Sequence, residues 1–550
     1  MFVTGRLNLP SSRRNCHLFV GVFIYYYIFL FWSILFLTLF IMISKIYSCA
    51  VIGLDSRLVE IESDIDFGFQ KISIVGLPDV SVNESKDRIS SALKNSGFDL
   101  PRNKITINLA PANIHKAGTL YDLPIALSIL LANGQLKRKS FDFSKSLFVG
   151  ELSLNGDLRK VNGVLSCAIF ARENGYENLF IPEQNAQEAA LVEGVNVYPI
   201  SNLNHLIDHL LNKTIIESFK FDKYSYFDSI NLMDDSFDFK YIKGQNHAKR
   251  ALEIAAAGAH NILFYGPPGS GKTMLARSIV TILPKMSEEE ILEVSRVHSV
   301  AGLLNDKQPI IIKRPFRSPH HSGSCASIVG GGSNPKPGEI SLAHRGVLFL
   351  DEFPEFSKTV LESLRQPLED GFVTISRATR TLEFPANFIL VASSNPCSCG
   401  FFGDSEKKCS CSQLQILKYK NKISGPIADR IDMHVEVPRI NFDELSDNNL
   451  SEDSASVKNR VEAVIDIQKN RFKNFGIINN SEMKNKHVKE FCKLDNQCLE
   501  LLKDAVMSLN LSGRAYNRIL KLARTIADFD NSENIKMNHI AEALQYRRKE

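Results

Sequence analysis

Apolar and polar residues change their period several times along this chain, and each change predicts an element. SCAVIGLDSRLVEIESDI alternates as paired strands do, and KISIVGLP predicts another strand. ESKDRISSALKNSGF has the spacing of an amphipathic helix that stops near Gly97. KITINLAP alternates again as a strand. DLPIALSILLANG is apolar nearly all round and predicts a buried helix with a glycine at its end. SLFVGELSLNGDLRKVNG predicts a hairpin whose turn is Asn155-Gly156. NLFIPEQNAQEAALVEGVNVYPISNLNHLIDHLL adds two strand–helix units, so residues 42–212 form one α/β domain.

The pattern then fades. Residues 213–240 are acidic, aromatic and rich in Ser and Asn, with no sustained helical period, and predict a linker. Strand and helix periods return over 241–440, a second α/β domain. From 441 to 550 only helical periods remain, as in SEDSASVKNRVEAVIDIQKNRF and GRAYNRILKLARTIADF, which predict a small helical lid.

The N-terminus stands apart. Asn15 to Ser44 holds no Lys, Arg, Asp or Glu, and Leu18 to Ile43 is long and apolar enough to span a bilayer as a helix. Arg6, Arg13 and Arg14 precede the run, so the positive-inside tendency would put the globular chain on the outer side. A second reading starts the working protein at Met42 and treats residues 1–41 as translated upstream sequence. The first reading gives a membrane anchor through residues 18–43, and the second a cytoplasmic protein.

Composition adds limits. A chain of 550 residues suits two to four domains, and 44% hydrophobic with 23% charged residues is ordinary for globular proteins. A net charge of +4 is small at this size, so any nucleic-acid surface must be a local patch. Of ten cysteines, four lie in one short stretch, Cys397, Cys399, Cys409 and Cys411, and the rest are scattered. That spread suits a reducing compartment with one metal site. The C-x-C, nine residues, C-x-C spacing could surround Zn²⁺ with four thiolates, or leave reduced thiols in a loop.

The central chemistry sits at Gly266, Pro267, Pro268, Gly269, Ser270, Gly271, Lys272 and Thr273. This G-x-x-x-x-G-K-T run follows the apolar strand NILFY and opens the helical pattern MLARSIVTIL. Its backbone N–H groups and helix N-terminus would cradle the phosphates of ATP. Lys272 would reach the β and γ phosphates, and Thr273 would ligate Mg²⁺. GVLFLDE supplies a second strand ending in Asp351, for Mg²⁺ through water, and Glu352, to polarise the attacking water. A third, FILVASSNP, ends in Asn395, which could position that water.

These elements come in the order expected of an AAA+ ATPase. With PFRSPHHS, VGGGSNPKPGEISLAHRGVLFLDEFPEF, ASSNPCSCG, ISGPIADRIDMHVEV and LSGRAYNRILKLARTIAD, the chain resembles the magnesium-chelatase-like AAA+ family, in its ComM/YifB branch. The likeness runs from about Met42 to the C-terminus. It implies a P-loop AAA+ core at 241–440 with a C-terminal helical lid. Asn395 matches sensor 1, Arg430 the arginine finger that enters a neighbouring subunit's site, and Arg514 sensor 2 on the lid. A finger supplied by a neighbour implies a ring, and the family a homo-hexamer. The family places its pre-sensor-1 hairpin at 370–388, where Arg377 and Arg380 could meet DNA phosphates or simply form a solvated strand face. His320 and His321 belong to the family signature, with a structural role or one as ligands.

The N-terminal domain resembles the Lon-protease-like, ribosomal S5 domain 2-like fold. Where the protease carries its serine this chain reads Gly118-Thr119-Leu120, and where it carries its lysine, Leu165. With no nucleophile and base there, no acyl chemistry is expected. The resemblance implies an ATP-driven motor on single-stranded or branched DNA, with branch migration or helicase activity in recombination during natural transformation. The alternatives are a chelatase-type chaperone remodelling a protein or metal-inserting partner, and a membrane-anchored remodeller that requires residues 1–41.

Overall fold

The computed structural model describes residues 44–137, 140–223, 225–226, 235–332, 334–377, 380–404, 406–423, 427–440, 451–509 and 511–547. The apolar run at 18–43 and Met42 lie outside the described residues. Among those described, no helix is long and apolar enough to cross a membrane.

The chain divides into two compact units that do not follow it in simple blocks. One comprises residues 44–48 with Leu58–Leu158 and Asn202–Ile215. The other comprises Cys49–Arg57, Arg159–Ser201 and the chain from Ile216 on.

β1 (Ser44–Ile52), β2 (Asp55–Asp66), β3 (Lys71–Val75) and β4 (Lys104–Ala110), most of whose residues belong to the first unit, form a sheet in the order β1-β2-β4-β3. β2 runs antiparallel to β4 and β3 parallel to it. The parallel pair needs a crossover, which α1 (Val80–Asn95) supplies. α1 starts where it does because the Asp79 carboxylate accepts the Val82 N–H at 2.7 Å. α2 (Asp122–Ala132) is buried from Asp122 through Leu130, as its all-round apolar sequence predicts. Arg88 on α1 donates to the Asp122 carboxylate at 2.8 Å. Burial pushes the Asp122 carboxyl up to about 6, against the pull of Arg88. The Asn155-Gly156 turn is wider than a two-residue hairpin loop. Ser153 donates its N–H to the Asp157 carbonyl at 2.9 Å, and Asn155 Nδ2 donates to the Asp157 carboxylate, so polar side chains close a five-residue connection.

The second unit is built on a parallel sheet. Among the described residues its strands are β5 (Ile262–Tyr265), β6 (Phe316–Arg317), β7 (Val347–Leu350), β8 (Ile389–Ser394) and β9 (Met433–Glu436), in the order β6-β7-β8-β5-β9. β7 and β8 are buried at every position, which is why VLFL and ILVASS read as continuous runs rather than alternations. Phe239, at the end of the expected linker, and Ile242, just beyond it, are buried in the core with these strands, and the Phe239 N–H donates to Ser454 Oγ at 2.9 Å. That end of the segment is therefore anchored, because two large apolar side chains find a hydrophobic partner there.

The C-terminal region is helical as expected. α3 (Ser454–Phe472) and α4 (Gly513–Phe529) share that core. At their ends Arg471, Arg524 and Asn480 converge on the buried Asp528 carboxylate. One pairing departs from the reduced thiols expected. Strand β1 and the helix Val164–Glu173 bring Cys49 and Cys167 together as a disulfide across a sequence separation of 118.

Candidate active site

Parallel strands share a direction, so every loop at their C-terminal ends meets at one edge of the sheet. β5 leads into the glycine loop, and Lys272 begins the helix that follows it, Lys272–Ile282. Gly269 and Gly271 adopt φ of +81° and +90°, open to glycine. A Cβ at either would meet nothing within 4 Å, so the cradle is open. At Gly266 the opposite holds: a Cβ there would stand 2.1 Å from the Val437 carbonyl oxygen. The Ser270 hydroxyl is buried with no hydrogen-bond partner among the described residues, a donor suited to an oxyanion.

Lys272 is folded back on its own loop. Its ammonium donates to the carbonyls of Gly266 and Pro267 at 2.8 Å and to Asn395 Oδ1 at 3.3 Å. Burial pushes its pKa down to about 8. Thr273 Oγ1 lies 3.4 Å from Asp351 Oδ2, close enough for one Mg²⁺ to be ligated by the hydroxyl and reached by the carboxylate through water. Ser393, buried on β8, donates its hydroxyl to Asp351 Oδ1 and accepts the Glu352 N–H at 3.3 Å. Glu352 takes a left-handed φ of +52°. His321 Nδ1 approaches its carboxylate at 3.6 Å, and the rings of His320 and His321 lie 4.2 Å apart. Ser393 and the His321–Glu352 approach were not found by sequence reasoning. The Ser393 signal was its place near the end of the strand that leads to Asn395.

The arginines lie elsewhere. Arg430 precedes β9, whose first residue, Met433, pairs with Ile262 at the start of β5. It therefore sits at the N-terminal edge of the sheet. At about 3.3 Å per residue, a four-residue strand separates the two edges by about 13 Å. Arg430 is buried, with its guanidinium 2.7 Å from Glu369 Oε1. Arg514, on the first turn of α4, reaches the same oxygen at 3.2 Å. One turn further, Arg518 donates to the Arg430 carbonyl and, at 2.6 Å, to Asp432 Oδ1. The Asp432 carboxyl is fully buried, which alone would raise its pKa, yet Arg518, His260 and the Asn261 amide hold it well below the usual range. The structure brings Lys272, Thr273, Asp351, Glu352 and Asn395 together and sets Arg430 with Arg514 at the far edge.

The four loop cysteines also converge. Their Sγ atoms all lie within 4.8 Å of one another. Cys397 stands 3.3 Å from Cys399 and 3.6 Å from Cys409. Four thiolates at about 2.3 Å from one Zn²⁺ in a tetrahedron are about 3.8 Å apart, so the cluster fits that ion. Arg377 and Arg380 pair in register at the end of the hairpin of strands Phe372–Arg377 and Arg380–Pro385, and their side chains lie outside the described residues. Thr119 stands in a bend, and Leu165 is a buried apolar residue on the helix Val164–Glu173.

A glycine loop, an Asp-Glu strand end and a polar strand end at one edge of a parallel sheet, with a helical region after it, define the class: a P-loop AAA+ core with a helical C-terminal region. Residues 238–445 match the family described as magnesium chelatase, subunit ChlI. Residues 61–185 match subunit ChlI of Mg-chelatase, and 451–547 the ChlI C-terminal region. The competence protein ComM of Haemophilus influenzae is 44% identical over 91% of this chain and 97% of its own length. YifB of Escherichia coli is 40% identical over 92% of this chain and 97% of its own. Lon protease 2 of Bacillus subtilis is 30% identical over 26% of each chain. The chain belongs to the magnesium-chelatase-like ComM/YifB family of AAA+ proteins. Membership implies ATP and Mg²⁺ as ligands, which the open cradle and the Thr273–Asp351 approach fit.

Proposed function

We propose that the chain hydrolyses ATP as a ring-forming motor, a homo-hexamer, that acts on branched or single-stranded DNA in the cytoplasm. Lys272 and the loop amides bind the phosphates, Thr273 and Asp351 hold Mg²⁺, Glu352 polarises the attacking water and Asn395 positions it. Mg²⁺ held there would neutralise phosphate charge. Ser393 fixes Asp351 and the Glu352 backbone through two hydrogen bonds. The observation that carries the reading is the split between the two sheet edges: one subunit presents the nucleotide loop on one edge and Arg430 with Arg514 on the other. Stacked copies would complete each site with a neighbour's arginines, whose permanent charge stabilises the transferring phosphoryl group. The competence protein among the relatives favours DNA as the substrate, with branch migration or unwinding as the work. The thiol cluster is assigned to a structural Zn²⁺.

The experiment measures ATP turnover with and without forked or four-way DNA, and strand displacement beside it. DNA-stimulated turnover with displacement supports the motor. No stimulation and no displacement overturns the DNA part. The magnesium-chelatase family match keeps a second reading, remodelling of a protein partner, which stimulation by such a partner instead of DNA would establish.

A further inference from the structure

Glu369 has no assigned role at the nucleotide loop, yet Arg430 and Arg514 both reach its carboxylate. Its Oε1 accepts the Arg430 guanidinium at 2.7 Å and the Arg514 guanidinium at 3.2 Å. We propose that Glu369 is a positioning residue that holds Arg430 and Arg514 as one pair for insertion into a neighbouring subunit's nucleotide site. The proposal rests on the intersubunit reading above.

Both guanidinium groups are permanently charged, and two like charges in reach of one oxygen repel. The Arg430 side chain is only 6% exposed, and a buried cation needs a counter-charge. The Arg514 side chain is 57% exposed, so solvent screens its charge. A shared carboxylate serves both: it neutralises the buried member and holds the exposed one beside it. The scaffold under the pair is tied together by hydrogen bonds. Arg518, one helical turn from Arg514, donates to the Arg430 carbonyl and to Asp432, which joins α4 to the Arg430 turn. Asn261 Nδ2 also donates to the Arg430 carbonyl, at 3.3 Å, and ties the turn to the start of β5. Glu369 itself stands in the short helix Arg365–Asp370, which Gly371 ends at φ +77° immediately before the hairpin. A Cβ at Gly371 would lie 2.0 Å from Asn387 Oδ1, so the end of the helix that carries Glu369 is closely packed.

The test is trans-complementation. ATP turnover and ATP-analogue affinity are measured for Glu369→Gln, Glu369→Asp, Lys272→Ala and Arg430→Ala, with ring size checked by light scattering. Glu369→Gln should lose about tenfold or more in kcat while analogue affinity stays within about twofold, and Glu369→Asp should recover part of the loss. Mixing Glu369→Gln with Lys272→Ala should restore turnover, because the lysine variant lends intact arginines to a neighbour whose own loop is intact. A merely structural defect in Glu369→Gln would not be rescued this way. Wild-type turnover by Glu369→Gln overturns the proposal. So does a dead Glu369→Gln mixture beside a live mixture of Arg430→Ala with Lys272→Ala. If that second mixture is also dead, the intersubunit reading falls and takes the proposal with it. Should Glu369→Gln fail to assemble, Glu369→Asp keeps the charge one methylene shorter, and the same mixtures decide.

Discussion

At the scale of single residues, Lys272 shows how burial prepares a site. Desolvation lowers its pKa to about 8. Nucleotide phosphates favour the ammonium and would raise that value again. Below about 8 the free lysine already carries its proton, so binding at pH 7 should take up little. Above it, binding should draw in close to one proton, and affinity should fall by up to about tenfold per pH unit. Titration calorimetry at pH 7 and 9, in buffers of different ionisation enthalpy, reads this directly. Lys272→Ala should abolish turnover, whereas Arg430→Ala should bind ATP and fail to hydrolyse it. Ser393 offers a quieter check. Its hydroxyl meets Asp351 and the Glu352 amide, so Ser393→Ala should lower kcat by about tenfold with the binding of ATP little changed.

At the scale of elements, close approach and buried charge decide what can change. Gly266 packs its Cα against the Val437 carbonyl, so Gly266→Ala must push the loop away from β9. Its nucleotide affinity should fall by about tenfold or more in a fluorescent-analogue titration, while the fold is kept. In the helical region Asp528 is buried between Arg471 and Arg524. Asp528→Ala would leave the buried Arg524 and the half-buried Arg471 without their carboxylate and cost about 3–5 kcal/mol, seen as an earlier transition in chemical denaturation. The thiol loop should carry about one Zn²⁺ per chain by elemental analysis. Chelation should release it, and Cys397→Ser should prevent its uptake.

For the whole molecule, what was legible depends on the range of the forces involved. β7 and β8 could be read because a strand buried on both faces must be apolar throughout. The glycine loop could be read because phosphate binding needs glycines, a lysine and a helix start in one short run. The Asn155-Gly156 turn was located, but its width depends on hydrogen bonds among Ser153, Asn155 and Asp157. The anchored end of the 213–240 segment was missed because a polar, irregular stretch gives no sign that Phe239 has a core to enter. The Cys49–Cys167 pair, far apart in sequence, could not be paired by spacing.

The sequence by itself determined the local chemistry: a phosphate loop, an Asp-Glu strand end, a polar strand end and four clustered thiols. Each is a short run whose residues act together wherever the chain puts them. Only the tertiary structure decided on which side of the sheet each run lies. Strand direction is set by pairing between segments far apart in sequence, and it puts Lys272 at one edge and Arg430 at the other. Glu369 could be linked to Arg430 and Arg514 only there, since a carboxylate finds its partners by distance in space.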